Sequence, residues 1–221
     1  MKIFFRRLIW ACVLIGLVFP VTTILLYRVL PPLATPLMLI RSSPMKYDFV
    51  ALEDISPNLI QAVLVSEDQR FCQHAGFDWK QMGIVWDELL YTGTASRGAS
   101  TISMQTGKNL FLWPSRSKVR KVLEVPLTLM LETLLPKRRI LELYLNIAEF
   151  GDGIYGAEAA AQAHFNRAAK GLTRAQAARL AAVLPNPLDR NAARPSQNVQ
   201  KAANRISGNI RVAPAALWSC L

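Results

Sequence analysis

Histidine, cysteine and acid are what this chain has little of. Its 221 residues hold 2 histidines and 3 cysteines, widely scattered, so no Cys/His cluster of metal-ligand type exists. Cys12 lies in an apolar run, which leaves Cys72 and Cys220 as the two that could pair, and nothing in their positions requires it. Strand-type alternation of apolar and polar residues is nearly missing, which points away from β architecture. Gly151, Gly153 and Gly156 follow no predicted strand, so a dinucleotide-binding reading fails on context. Acids number 15 against 26 lysines and arginines, a net charge of +11.

What is present begins with one uncharged stretch from Leu8 to Tyr27, about the length that crosses a bilayer as a helix. Lys2, Arg6 and Arg7 precede it, which favours a cytoplasmic start and export of the chain beyond Arg28. Pro20 is tolerable in a membrane helix with a kink. A cleaved signal is the alternative, but Leu33-Ala34-Thr35 is a poor cleavage site and the apolar region is long. The expectation is a cytoplasmic segment 1–7 and a retained anchor over 8–30. An exported, anchored domain rarely meets nucleic acid, so the positive charge reads as attraction to anionic head groups and phosphorylated lipids.

A membrane-proximal connector occupies 31–53, in which Pro31-Pro32 breaks the helix and Leu33 to Ile40 is apolar but too short to span. Beyond it the pattern is helical. Ser56-Pro57 starts a buried helix through Leu59 to Val65, which runs into Glu67-Asp68-Gln69-Arg70-Phe71-Cys72-Gln73-His74-Ala75-Gly76. Asp78 is the N-cap of a helix to about Tyr91. Gly98-Ala99-Ser100-Thr101 opens another, with Gln105, Lys108 and Asn109 along it. Arg120 and Glu124 share a face of the next helix, and Pro126 should kink or restart it. Lys137 to Asn146, Ala157 to Phe165 and Thr173 to Leu184 are further helices. From Asn191 the composition turns polar, with one short amphipathic helix over Gln197 to Ile210. The organisation expected is a single all-α domain over 54–195 and a C-terminal tail over 196–221.

Each feature has an ordinary structural reading. Glu67 and Asp68 can be a solvated helix end, His74 a packing residue, Gly98 to Thr101 a plain helix N-terminus, and Arg120 with Glu124 a surface ion pair. The alternative is chemical. Acids that close an apolar helix sit at the mouth of a core, where desolvation lifts a carboxylate toward the range useful to a general base. Small hydroxyl residues beside glycine can present N–H and O–H groups to an anion.

Five blocks in order decide between these readings. They are Glu67-Asp68-x-x-Phe71-x-x-His74-x-Gly76, Gly98-x-Ser100-Thr101-x-x-x-Gln105, Arg120-Lys121-x-x-Glu124, Lys137 through Tyr144-x-Asn146, and Arg179 through Val183-Leu184. Together they resemble the peptidoglycan glycosyltransferases, specifically the monofunctional biosynthetic transglycosylases of Gram-negative bacteria, over roughly Asp54 to Pro195 plus the anchor. The resemblance implies an all-α, lysozyme-like glycosyltransferase domain preceded by one N-terminal transmembrane helix. It implies polymerisation of lipid II onto a growing glycan chain, with undecaprenyl pyrophosphate leaving, in cell-wall biogenesis and the maintenance of cell shape. The place implied is the bacterial inner membrane, single-pass, with the catalytic domain in the periplasm.

By the same resemblance Glu67 is the general base and Glu124 acts near the leaving pyrophosphate, through a hydrogen-bond network or a bound divalent cation, Mg2+ or Mn2+. Lys108, Arg116 and Arg120 would neutralise the diphosphate. Asp68, Phe71, Gly98, Ser100, Thr101, Gln105 and Asn109 complete the substrate contacts. No cofactor and no resident metal is required. The expected partners are the lipid substrate, the glycan, inner-membrane lipids and cell-wall synthesis or division proteins.

Two other classes compete with this reading. A glycan-cleaving enzyme of lysozyme type also uses carboxylates in a helical cleft, but its leaving group is a neutral sugar and Lys108 and Arg120 would have no purpose. An inactive scaffold of the cell-wall machinery would have lost an acid or a phosphate-binding cation, and all are present.

Overall fold

The computed structural model describes residues 2–41, 43–94, 98–115 and 117–221. The N-terminal rod is α1 (Lys2–Val13), a π-helical turn (Leu14–Val18) and α2 (Phe19–Tyr27). The span Phe4–Tyr27 is the one helix among the described residues long and apolar enough to cross a membrane. Pro20 falls near the start of α2, directly after the π turn, a local widening that absorbs the missing proline N–H.

The end of this rod is bolted to the domain below it. Ile24 is fully buried. The Arg139 guanidinium donates to the Tyr27 carbonyl at 2.7 Å and the Leu30 carbonyl at 2.8 Å, satisfying oxygens that a helix C-terminus leaves unpaired. It also lies 5.5 Å from the Phe49 ring centre. The connector then adds α3 (Pro36–Ile40), capped by Thr35, and the short strand β1 (Lys46–Tyr47).

The core is built from α4 (Pro57–Glu67), α8 (Lys137–Ile147) and α10 (Arg174–Val183), whose inward residues are fully or almost fully buried. The alanines of α10 let α4 and α11 (Gln197–Val212) pack closely on it. Residues 196–221, which composition alone sets apart as a tail, therefore lie in the same packed body, with Val199, Ala203, Ile206 and Ile210 buried. Around this core stand α5 (Trp79–Thr92), α6 (Ile102–Phe111), α7 (Lys118–Leu134) and α9 (Ala157–Phe165).

A small three-stranded sheet accompanies the helices, which sequence periodicity does not announce. Its order is β1, β3 (Ile154–Tyr155), β2 (Glu149–Gly151), with β1 parallel and β2 antiparallel to β3. Strands of two or three residues are too short to show alternation. Gly156 follows at φ +85°, where a Cβ would sit 2.4 Å from the Asn146 carbonyl oxygen, so only glycine fits.

Pro126 does not interrupt its helix. Helix α7 runs from Lys118 to Leu134 straight through it. The missing bond falls on the exposed face, while Glu124, Leu127, Thr128 and Leu131 hold the buried face in place. Packing on one side outweighs one lost backbone bond on the other.

Candidate active site

The loop after α4 is tied from within. Asp68 is turned inward, its carboxylate 2.9 Å from His74 Nε2 and accepting the Ile102 N–H at 3.0 Å. Phe71 is fully buried, with Lys137 Nζ 4.4 Å above its ring centre. Arg70 pairs with Asp78 at 2.8 Å, and Asp78 also caps α5 through the Gln81 N–H. Gly76 closes the loop at φ +90°, and a Cβ there would meet Thr128 Cγ2 at 2.7 Å. Its carbonyl accepts the Thr101 hydroxyl at 2.6 Å, and that same hydroxyl oxygen caps α6 through the Met104 N–H. The polar side chains of this loop thus serve mostly to hold α6 and α7 against α4. Cys72 and Cys220 are joined in a disulfide.

Glu67, the last residue of α4, points the other way, into a cleft. Its Oε2 accepts the Gln105 amide N–H at 3.0 Å, and Gln105 Oε1 accepts the Tyr144 hydroxyl at 3.2 Å. The Tyr144 ring is buried, so the glutamine is locked with its N–H end toward the acid. Desolvation pushes the Glu67 carboxyl above the usual carboxylate range, with Asp68 adding to the rise. The Gln105 hydrogen bond and the charges of Lys108 and Arg190 pull it partly back.

Glu124 is almost completely buried and fully engaged. One oxygen takes the Arg120 guanidinium and the other the Lys121 ammonium at 2.8 Å. Arg120 also donates to the Ser115 carbonyl, and Lys121 reaches Ser100 Oγ at 3.1 Å. Lys108 feels both acids across this corner; burial first, then the nearby Arg120 charge, lowers its ammonium below the ordinary lysine range. One carboxylate therefore gathers Arg120 and Lys121, and Lys108 lies near them, which leaves net positive charge at a corner joined to the cleft wall through Ser100. Among the described residues no group of three or more His, Cys, Asp or Glu side chains could hold a metal. With both Glu124 oxygens already held by cations, this corner suits an anion rather than a resident metal.

Two grooves meet at Glu67. One, of about 560 Å³, is lined by Arg70, Gly98, Ser100, Thr101 and Gln105. The other, of about 710 Å³, runs between α4, α10 and α11. Both are bordered by Gln69, Arg190 and Arg205. Asn109 lies buried on α6. Arg116 lies outside the described residues. The expected residues Glu67, Asp68, Gly98, Ser100, Thr101 and Gln105 thus line the cleft, Asp68 with its carboxylate tied to His74 and the Ile102 N–H, whereas the Phe71 ring is held inside the fold.

Sequence reasoning missed Lys121, Tyr144, Arg190 and Arg205 as part of this site. Lys121 stands in the third block next to Arg120, three residues before Glu124, and that spacing is a usable signal. Arg190 and Arg205 carry none, because only tertiary packing brings α11 and the segment after α10 to Glu67.

A desolvated carboxylate can take a proton from a hydroxyl, and a cationic corner adjoining the cleft at Ser100 can hold an anionic leaving group. These features define a group-transfer enzyme. The transglycosylase family model matches residues 36–211. The chain is 53% identical over 158 residues to the biosynthetic peptidoglycan transglycosylase of Rhizobium leguminosarum bv. trifolii, covering 72% of this chain and 67% of that one. It is 47% identical over 209 residues to that of Rhizobium johnstonii (91% and 83%) and 45% over 204 residues to that of Caulobacter vibrioides (91% and 89%). The chain belongs to the transglycosylase family and is a glycosyltransferase.

Proposed function

We propose that this protein is a peptidoglycan glycosyltransferase that polymerises lipid II, with Glu67 as the general base. The acceptor's 4-hydroxyl oxygen attacks the anomeric carbon of the lipid-linked growing chain, and its proton passes to a Glu67 oxygen. The anomeric C–O bond breaks with its electron pair going to the pyrophosphate, so undecaprenyl pyrophosphate departs with inversion. Lys108, Arg120 and Lys121 take up the developing negative charge, while Glu124 holds the last two in place. Gly98 and Ser100 line the route between the two, and Gln105 keeps Glu67 aimed.

The observation that carries this reading is the pairing of a desolvated acid with a cationic corner. A neutral leaving group would need no such corner. In this reading the apolar span Phe4–Tyr27, whose end is fixed to the domain by Ile24 and Arg139, is the anchor that keeps the cleft beside the inner membrane confining the substrate, on the periplasmic side. The glycan chain, membrane lipids and other cell-wall proteins are the partners this implies.

The test is incubation of the purified full chain, in detergent, with labelled lipid II and separately with preformed glycan strands. Polymer from lipid II, with one undecaprenyl pyrophosphate released per bond formed, is the expected result. Fragments from the strands, with no polymer from lipid II, would overturn the reading in favour of glycan cleavage.

A further inference from the structure

Helix α11 borders the cleft at Glu67, and the segment after it packs on the loop beyond that acid. Residues 213–221 turn back from α11 through a 3-10 turn, Ala215–Trp218, to the 3-10 turn Phe71–Gln73 of the loop beyond Glu67. Leu217 is buried there, and Trp218, Cys220 and Leu221 pack against the core. The Cys72–Cys220 bond spans 148 positions of sequence at this contact. The other ties of the loop (Asp68 with His74, Arg70 with Asp78, Phe71 under Lys137) are noncovalent. Cys72 is five residues from Glu67, and α11 contributes Ala202, Arg205, Ile206 and Asn209 to the groove that Glu67 borders. The disulfide therefore joins one wall of the cleft to the loop that extends from the catalytic acid.

We propose that Cys72–Cys220 is an oxidative modification site that acts as a positioning clasp: forming the bond fixes the α11 wall against the Glu67 loop, and full polymerising activity depends on it. This inference rests on the role given to Glu67 above. The chemistry is a thiol–disulfide exchange. Cys72 and Cys220 thiols together lose two electrons and two protons; the disulfide of a thiol-oxidising partner gains them and becomes a dithiol, through a mixed disulfide with one of the two cysteines. An oxidising exported compartment supplies such partners. A dithiol reductant runs the exchange backward and releases the clasp.

The full chain in detergent gives the test. Thiol labelling after denaturation should find one free thiol, Cys12, and three after reduction. On lipid II, dithiol reduction should lower kcat roughly 10- to 100-fold with little change in KM, since small displacements of a reacting group cost rate rather than binding. Reoxidation with oxidised glutathione should restore it. Hydrogen exchange should rise on reduction at 68–78 and 213–221. A Cys72→Ser/Cys220→Ser double variant should match the reduced enzyme; if it does not fold, the reversible reduction of the wild type still decides. Three free thiols without reduction, or unchanged kcat in the reduced enzyme, would overturn the clasp. Failure of the oxidised wild type to polymerise lipid II would instead overturn the function proposed above and leave the thiol count and exchange data to judge the clasp's structural part.

Discussion

Gln105 Nε2 donates to Glu67 Oε2 at 3.0 Å, and the direction of that bond is fixed by Tyr144 behind it. The bond favours the ionised acid and so opposes the rise caused by burial. Replacing Gln105 with Leu removes the opposition. The carboxyl then stays protonated to higher pH, and the acid limb of the kcat profile moves in the alkaline direction. Tyr144→Phe, which frees the glutamine to rotate, should move it the same way by less. A limb that stays where the wild type has it would show that Gln105 does not act on the base.

We expect Lys108 to set the alkaline limb of the same profile. Burial lowers its ammonium, so its charge is lost at lower pH than an ordinary lysine would lose it. Polymerisation should therefore decline on the alkaline side as that charge goes. In Lys108→Arg the guanidinium stays charged throughout, and the alkaline decline should shift upward or vanish even where the overall rate is lower. The readout is kcat against pH for both enzymes.

Glu124 and Arg120 should behave as one unit. Glu124→Gln keeps the shape and removes the charge that gathers Arg120 and Lys121. A loss of about 10²–10³ in kcat is expected, comparable with removing one preorganised donor from an anion hole. Arg120→Ala should cost a similar amount. The double variant should lose much less than the two losses multiplied, since either change already disperses the cluster. Multiplicative losses would mean the two residues act separately.

Gly76 is a packing test of the same site. A Cβ at φ +90° meets strain and a 2.7 Å contact with Thr128 Cγ2. Gly76→Ala should lower stability by about 2 kcal/mol or more, read as a drop in Tm. Adding Thr128→Ser, which removes that methyl, should recover part of the loss.

Much of this was legible in the sequence because the signals are local. N-caps at Ser56, Asp78, Thr101, Ser117 and Thr173 stand where the helices begin, and an uncharged run marks the long apolar N-terminal helix. The five blocks identify the family. What escaped depends on distant parts of the chain meeting. The inward turn of Asp68 is set by His74 and by the Ile102 N–H on α6. The packing of α11, the strands of two or three residues, the approach of Arg190 and Arg205, and whether Cys72 and Cys220 actually pair are all tertiary. Pro126 misled for a related reason: local chemistry predicts a break, and the buried face of α7 overrides it.

The most direct measurement is the initial rate of lipid II polymerisation by wild type and Glu67→Gln, at equal folded concentration, across pH. Loss of the base should reduce kcat by about 10²–10⁴-fold and abolish the acid limb. Removing a carboxyl whose ionisation burial disfavours should also leave the folded protein at least as stable near neutral pH. Polymerisation by Glu67→Gln at the wild-type rate, with the acid limb intact, would contradict the assignment of Glu67 as the base.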